Sequence, residues 1–142
     1  MIDEIEDMWG VDCKIDPLDL SKSARQVPEL HSKYYPLYSA SKRKLFKLKA
    51  GYKLLKADKI EFLSNPTEDH SDRGWEYPDR LILKNEINNY LDADSEMLKL
   101  ELKIAEQDLL VEFLSDILKQ LNQRTWLVKN IQDERKFMHG EQ

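Results

Sequence analysis

The sequence predicts an all-α protein whose long helices pack as an antiparallel hairpin or bundle. Only 4 glycines and 5 prolines occur among 142 residues, whereas a β-sandwich or barrel needs many turns rich in these residues. Apolar residues recur three and four positions apart over long stretches, which is the period of a helix face. A polar stretch, Ser64–Pro78, separates two such halves and permits the chain to reverse direction.

A short helix is predicted at the N-terminus, where Ile2, Ile5, Met8 and Trp9 recur at helical spacing among acidic residues. This helix covers only about two turns and is marginal in isolation. It therefore needs to dock on another element.

A second helix is predicted from Asp16 and Pro17, because an Asp N-cap followed by Pro at the first helical position is a common start signal. Pro28 ends this helix or bends it into the next one, and Pro36 is a candidate for another kink. Between Pro36 and Leu63 the apolar residues recur at steps of three, four or seven, so we place them on one face of a long helix. They are Tyr38, Leu45, Leu48, Tyr52, Leu55 and Phe62.

Beyond the polar stretch, Pro78 is predicted to start a helix that runs to Tyr90. Asp92 or Asp94 is predicted to cap the helix that follows, because an Asp side chain accepts a hydrogen bond from a free backbone N–H of the first turn.

The last long helix is predicted to begin near Ser95 with a single apolar stripe and to become apolar on more than one side between Leu109 and Leu121. A break is predicted between Asn122 and Thr125, since Thr125 can cap a final helix. The initial stripe consists of Leu98, Leu102, Ala105, Leu109 and Phe113.

Three regions follow from these elements. An N-terminal helical region with a basic helix covers residues 1–64, a polar loop covers residues 65–78, and a C-terminal helical region covers residues 79–142. A chain of 142 residues is long enough for one ordinary core, so we expect a single folding unit.

The formal net charge of −5 conceals a strong asymmetry. Between Leu30 and Ala57 the chain has eight basic and no acidic residues, whereas the remainder has 14 basic and 27 acidic residues and a charge of −13. A solvated helix face normally mixes both signs, so the basic segment favours a binding role, and a phosphate backbone is the ligand it suits. Aromatic residues interleaved with the lysines can either stack on unpaired bases or pack in the core, and for those at helical spacing we favour packing. They are Tyr34, Tyr35, Tyr38, Phe46 and Tyr52.

The apolar excess between Leu109 and Leu121 has two interpretations. In a chain this short, a helix that is apolar on several sides indicates self-association. The alternative is a central helix within a monomeric bundle, and the pattern alone does not separate the two.

Catalytic patterns are weak, so no catalytic residue, metal site or cofactor is predicted. Asp69, His70 and Asp72 lie together in the polar stretch, but one His without a second His or Cys at ligand spacing is typical of a solvated turn. Cys13 is the only cysteine and cannot form an internal disulfide. No apolar run approaches the roughly 20 residues of a membrane span.

Three blocks of this sequence resemble the UvsY recombination mediator proteins of T-even-like bacteriophages. They are the basic helix Ser41–Asn65, the stretch Leu91–Lys99 and the stretch Val128–Phe137, and the likeness extends from about Ile15 to the C-terminus. The family's DNA-binding segment resembles Leu-Lys-Ala-Arg-Leu-Asp-Tyr. Its Arg falls on Lys59 and its Lys on Ala57, next to Lys56.

The resemblance implies a ring-like homo-oligomer, a hexamer or heptamer, that acts in the cytoplasm of the infected bacterial host. It also implies a protein that binds single-stranded DNA and helps load a RecA-like recombinase onto strands covered by single-stranded-DNA-binding protein.

Together with the charge pattern, the resemblance gives the following DNA-binding residues: Lys42, Arg43, Lys44, Lys47, Lys49, Lys53, Lys56 and Lys59. It also assigns oligomerisation to the C-terminal region, where the candidates are Leu109, Leu110, Phe113, Leu114, Ile117, Leu118, Leu121 and Trp126. The alternative function is a non-enzymatic helical scaffold whose lysines bind an acidic protein partner.

Overall fold

A computed structural model describes residues 1–65, 73–78 and 80–140 of the chain. These residues form five α-helices and a 3-10 turn, Lys84–Glu86, with no β-strand among them. The helices are α1 (Ile2–Asp12), α2 (Leu20–Arg25), α3 (Val27–Ser64), α4 (Ile87–Asp92) and α5 (Ser95–Met138). The predicted all-α class is confirmed.

The chain divides into two compact units. Unit 1 consists of Met1–Lys42 together with Leu109–Gln142, and unit 2 consists of Arg43–Asp108. Helices α3 and α5 therefore contribute residues to both units. The expectation of a single folding unit stays a prediction.

The core of unit 1 forms where α1 docks on α3 and α5. Ile5 of α1 and Tyr34 of α3 are buried with five apolar residues of α5, and the rings of Trp9 and Tyr34 meet edge to face with centroids 5.6 Å apart. The short N-terminal helix is present, as predicted, and this docking supplies the burial that so short a helix lacks in isolation.

Asp12 fixes the end of α1 to both long helices. Its Oδ2 accepts hydrogen bonds from Lys33 Nζ at 2.6 Å and from the Tyr34 hydroxyl at 2.7 Å, while its backbone carbonyl accepts one from Arg124 of α5. Burial alone would raise the pKa of Asp12, but the bonds from Lys33 and Tyr34 outweigh burial and lower it.

The same contact explains why the predicted break in α5 is wrong. Helix α5 continues through Asn122–Thr125, and within this stretch Arg124 is buried. Leu121 and Val128, on either side, are also buried. Tertiary contacts thus hold the backbone helical where the local sequence permits a stop.

The start of α2 also differs from the prediction. Asp16 does not cap a helix, because its side chain accepts from the backbone N–H of Leu18 and forms a local turn. Asp19 is the cap instead, accepting from the backbone N–H of Lys22 at 3.0 Å.

In unit 2, α3 and α5 run antiparallel. The Tyr52 hydroxyl donates to Glu101 Oε1 at 2.8 Å, and Lys59 Nζ lies 3.2 Å from Asp94 Oδ1, so later residues of α3 meet earlier residues of α5. An apolar cluster closes this end of the unit, consisting of Phe62, Leu63, Ile82, Ile87 and Leu91.

The predicted helix from Pro78 to Tyr90 is mostly wrong. Ile82 is buried in this cluster whereas Leu81 and Leu83 are exposed, which is the alternation of an extended segment. Helical structure begins only with the 3-10 turn and α4. The predicted cap of α5 is confirmed at Asp94, whose Oδ2 accepts from the backbone N–H of Met97 at 3.0 Å.

Candidate nucleic-acid interface

Six exposed cations of α3 form a surface that we call the basic face. All six belong to unit 2, and among the described residues none has a carboxylate within 4 Å. Their charge is therefore directed outward without a local counter-charge. The members are Arg43, Lys44, Lys47, Lys49, Lys53 and Lys56.

Lys49, Lys53 and Lys56 form a row along one side of the helix. With about 100° of rotation per residue, they lie within roughly 60° of one another around the axis. Helical spacing also brings each about one turn from the next, so the row can follow a strand of phosphates.

Lys42 precedes the basic face and belongs to unit 1. Its side chain is exposed, with Nζ 3.2 Å from the Tyr38 hydroxyl and 5.5 Å from the centre of that ring. This local contact leaves the ammonium accessible to a ligand.

Lys59 has a different environment from the other predicted DNA-binding residues. It is only 6% exposed, and its Nζ lies 3.2 Å from Asp94 Oδ1 and 3.6 Å from Glu96 Oε1. The same ammonium sits 4.0 Å from the centre of the Trp75 ring, a cation–π geometry. The family resemblance, together with its helical spacing from Lys56, placed Lys59 with the outward lysines, whereas its acidic and aromatic neighbours, distant in sequence, turn it inward.

Lys59 also helps to hold the segment that precedes α4. The Trp75 indole N–H donates to Glu96 Oε1 at 2.8 Å, the Tyr77 hydroxyl donates to the Leu63 carbonyl at 3.1 Å, and the two aromatic rings flank Phe62. The position matched to the family's DNA-binding Arg is thus buried among carboxylates and an aromatic ring in this chain.

The aromatic residues fall into two groups. Tyr34 is buried, and Tyr52 donates its hydroxyl to Glu101. That hydrogen bond raises the pKa of Tyr52. Phe46, by contrast, is 57% exposed within the basic face, and Tyr35 is exposed in unit 1. Phe46 is accordingly the aromatic ring placed to meet a ligand of the basic face.

Most of the predicted oligomerisation residues build the core of unit 1. Phe113 packs partly buried against this core, whereas Leu109 and Trp126 are exposed. The five buried residues are Leu110, Leu114, Ile117, Leu118 and Leu121. The interpretation as a central helix therefore explains most of the apolar excess within one chain.

Other exposed apolar residues on α5 escaped the sequence analysis or were given no role by it. Leu127, Phe137 and Met138 are exposed near its C-terminal end, and Leu98 and Leu102 are exposed near its start. The stripe that begins at Leu98 was visible in the sequence, but its solvent-facing orientation was not. On α3, the sequence analysis also missed a second apolar repeat, Phe46–Ala50–Leu54–Ala57, among the lysines.

Across the part of the chain that the structure describes, no three His, Cys, Asp or Glu residues are grouped to hold a metal ion. Asp69, His70 and Asp72 lie outside the described residues. No helix within the described ranges has both the length and the hydropathy to cross a membrane.

Residues 8–141 match the model of the family "Recombination, repair and ssDNA binding protein UvsY". This chain belongs to the UvsY family. It is 24% identical over 139 residues to the recombination protein uvsY of Enterobacteria phage T4, and the alignment covers 98% of each chain.

Solved structures support the fold. Two crystal forms of the bacteriophage T4 recombination mediator protein UvsY superpose with TM-scores of 0.82 and 0.80, each at 24% sequence identity. The first covers 98% of both chains, and the second covers 95% of this chain and 98% of the T4 chain. The family resemblance found in the sequence is confirmed.

Proposed function

We propose that this UvsY family member binds single-stranded DNA through the basic face and helps load a RecA-like recombinase onto strands covered by single-stranded-DNA-binding protein. The observation that carries the proposal is the cluster of six exposed cations on α3, none of which pairs with a carboxylate of the described residues, in an otherwise acidic chain. The family description names single-stranded DNA as the ligand, and the T4 relative is a recombination mediator.

The row Lys49, Lys53 and Lys56 is assigned to the phosphates. Lysine ammonium groups on flexible stems suit a strand without fixed geometry, and binding releases the counterions condensed on the strand. Phe46 offers a ring on which an unpaired base can stack, an interaction open to every base. Such contacts are sequence-independent, as loading a recombinase on arbitrary strands requires.

Self-association into a ring of six or seven chains increases the affinity for the strand, which is weak for a single basic face. Each subunit contributes one basic face, and a strand held by several of them gains affinity from the high effective concentration of the next site. Exposed apolar side chains are available for subunit contacts, including Leu109 and Trp126 from the predicted set.

Loading then requires no nucleotide hydrolysis by the mediator. A strand bound along several basic faces is held in one conformation. If the recombinase binds that conformation more tightly than the covering protein does, the exchange is driven by this difference in affinity. We place the reaction in the cytoplasm of the infected bacterium.

The test is a triple variant of the row, Lys49→Ala, Lys53→Ala and Lys56→Ala, titrated with a fluorescent oligothymidine at several salt concentrations. Each lost phosphate contact lowers the slope of log affinity against log salt by about 0.7, so the expected decrease is about 2. Solution mass is measured alongside, to show that the assembly is unchanged.

A matched control removes three exposed lysines of α5, Lys119, Lys129 and Lys136, and lowers the net charge equally. It should keep the wild-type salt slope. If both variants lost DNA affinity and salt slope equally, the effect would come from net charge alone. If the triple variant of Lys49, Lys53 and Lys56 kept the wild-type affinity, the scaffold that binds an acidic protein would be the better account.

A further inference from the structure

Unit 1 buries a guanidinium that lacks a carboxylate partner. Arg124 is only 3% exposed, and no carboxylate oxygen of the described residues lies within 4 Å of its nitrogens. Its Nη2 donates to the backbone carbonyl of Asp12, whereas its Nη1 is buried without an acceptor among those residues. The Asp12 carboxylate is itself engaged by Lys33 and Tyr34. A buried charge without an opposite partner is unfavourable, so an anion bound to Nη1 would stabilise the folded chain.

The other cation that is buried among the described residues shows what Arg124 lacks. Lys59 of unit 2 has one carboxylate oxygen, from Asp94, at 3.2 Å and a second, from Glu96, at 3.6 Å. Carboxylates are therefore the groups that balance a buried cation in this fold. In unit 1 the described residues supply no such group to Arg124.

A cavity of about 140 Å³ lies beside Arg124, and all of its lining residues belong to unit 1. One part of its wall is apolar, and another carries two glutamine amides whose N–H groups can donate to an oxyanion. Besides Arg124, the lining residues are Trp9, Cys13, Ile15, Gln120, Gln123 and Leu127. A ligand with an anionic head and a short apolar stem matches both parts of the wall.

The ligand can reach Nη1 once side chains at the rim turn aside. Gln120, Gln123 and Leu127 are exposed, and exposed side chains change rotamer on the picosecond-to-nanosecond timescale. While Nη2 stays bonded to the Asp12 carbonyl, Nη1 is the donor left for the ligand. Hydrogen bonds from a guanidinium to an ionised acceptor are among the strong ones in proteins.

We propose that this cavity binds a carboxylate carried on a short apolar stem, as in propionate or in the side chain of a glutamate from another protein. The carboxylate accepts from Arg124 Nη1 and from a glutamine amide, and the stem lies against Trp9 and Ile15. Phosphate is the poorer ligand, because some of its charged oxygens would face the apolar wall and lose their hydration. The inference goes beyond the proposed function, since the site lies in unit 1 and the basic face lies in unit 2.

The test uses Cys13 as a reporter, because it is the only cysteine of the chain, is exposed and lines the cavity. Its alkylation by iodoacetamide is followed while propionate is titrated at constant pH and ionic strength. Bound propionate should slow the reaction several-fold and with saturation. Propionamide has nearly the same shape without the charge and should leave the rate unchanged.

Thermal unfolding gives a second readout that does not depend on Cys13. Propionate should raise the Tm of the wild type and propionamide should not, since a ligand that binds only the folded chain stabilises it. If propionate had no effect on either readout, or acted no more strongly than propionamide, the site would be overturned.

Gln120→Glu is the decisive variant. It places a carboxylate four residues before Arg124 on α5, within reach of the guanidinium. This internal anion should abolish the propionate response of both readouts, and a response that persisted would contradict the inference. Gln132→Glu makes the same change at an exposed position of α5 outside this cavity, and it should respond as the wild type does. Arg124→Gln should also lose the response, and if that variant fails to fold, Gln120→Glu still decides.

Two further ligands identify the source and the class of the anion. If a capped tripeptide with a central glutamate protects Cys13 at lower concentration than propionate, the carboxylate comes from a protein side chain. The reverse order assigns the site to a free small carboxylate, and either order supports it. Stronger protection by inorganic phosphate than by propionate would overturn the carboxylate assignment. The oligothymidine titration tests DNA binding separately from all these outcomes.

Discussion

The two compact units use the same two helices in opposite ways. In unit 1, α5 is covered by α1 and by Tyr34 of α3, so its broad apolar surface ends in a core whose centre, Leu114, is fully buried. In unit 2, α3 and α5 bury one side each and leave a second apolar side exposed. Charge follows the same division, because the basic face lies wholly in unit 2.

The difference shows that hydrophobicity alone does not indicate an interface. The most apolar stretch of α5, predicted to join subunits, is mainly buried inside unit 1, whereas Leu54 and Leu102 of unit 2 are largely exposed. In unit 1 the short helix α1 covers α5, whereas in unit 2 the short helix α4 packs with the end of α3 and leaves Leu54 and Leu102 exposed. The uncovered region is where we place DNA binding.

The strongest test of this contrast is a pair of leucine substitutions. Leu114→Ala in unit 1 should lower the free energy of unfolding by about 2–5 kcal/mol, because it leaves a cavity in a packed core. Leu54→Ala in unit 2 should change it by less than about 0.5 kcal/mol, because the side chain is largely exposed. Urea unfolding at a concentration where single chains dominate measures both, and equal losses would remove the contrast.

The next largest effect separates the buried lysine from its exposed neighbours. Lys59→Met keeps the aliphatic stem but removes a cation from Asp94, Glu96 and Trp75, so we expect a loss of about 1.5–3 kcal/mol in unfolding free energy. The slope of DNA affinity against salt should not change.

Lys56→Met serves as the reverse control for this lysine. It should leave stability within about 0.5 kcal/mol and lower the salt slope by about 0.7. If Lys59→Met lowered the slope and left stability intact, Lys59 would belong to the DNA-binding residues after all.

A smaller effect concerns Asp12 in unit 1. Because the pKa of its carboxyl is lowered below the ordinary 3.8, the unfolded chain binds the proton more readily than the folded chain. The resulting stabilisation is present above pH 3.8 and is lost as the pH falls through the lowered folded value.

Asp12→Ala should therefore cost about 1–3 kcal/mol at neutral pH, since the Tyr34 hydroxyl loses its acceptor. The difference in stability between Asp12→Ala and the wild type should become smaller in acid. Thermal unfolding measured between pH 7 and pH 3 tests this. Asp3→Ala, an exposed change on the same helix, should match the wild type throughout, and a gap that widened in acid would contradict this role of Asp12.

The prediction from sequence succeeded where local signals agree with tertiary packing. The helical class, the docked N-terminal helix, the Asp94 cap and the exposed lysines of α3 all follow from period, capping chemistry and charge. It failed where a local signal was overruled. Pro78 and Thr125 are plausible helix starts, but burial of Ile82 in an extended segment and of Arg124 within α5 decides otherwise.

By itself, the sequence determined that this protein is helical, belongs to the UvsY family and concentrates its positive charge on one segment, because composition, order of blocks and charge need no knowledge of contacts. Only the tertiary structure decided which apolar faces are covered and which cation turns inward. A helix repeats its pattern on several sides, and the partner that covers each side comes from residues distant in sequence. Leu114 and Leu102 lie in comparable apolar stripes, yet one is enclosed by α1 and α3 and the other faces solvent.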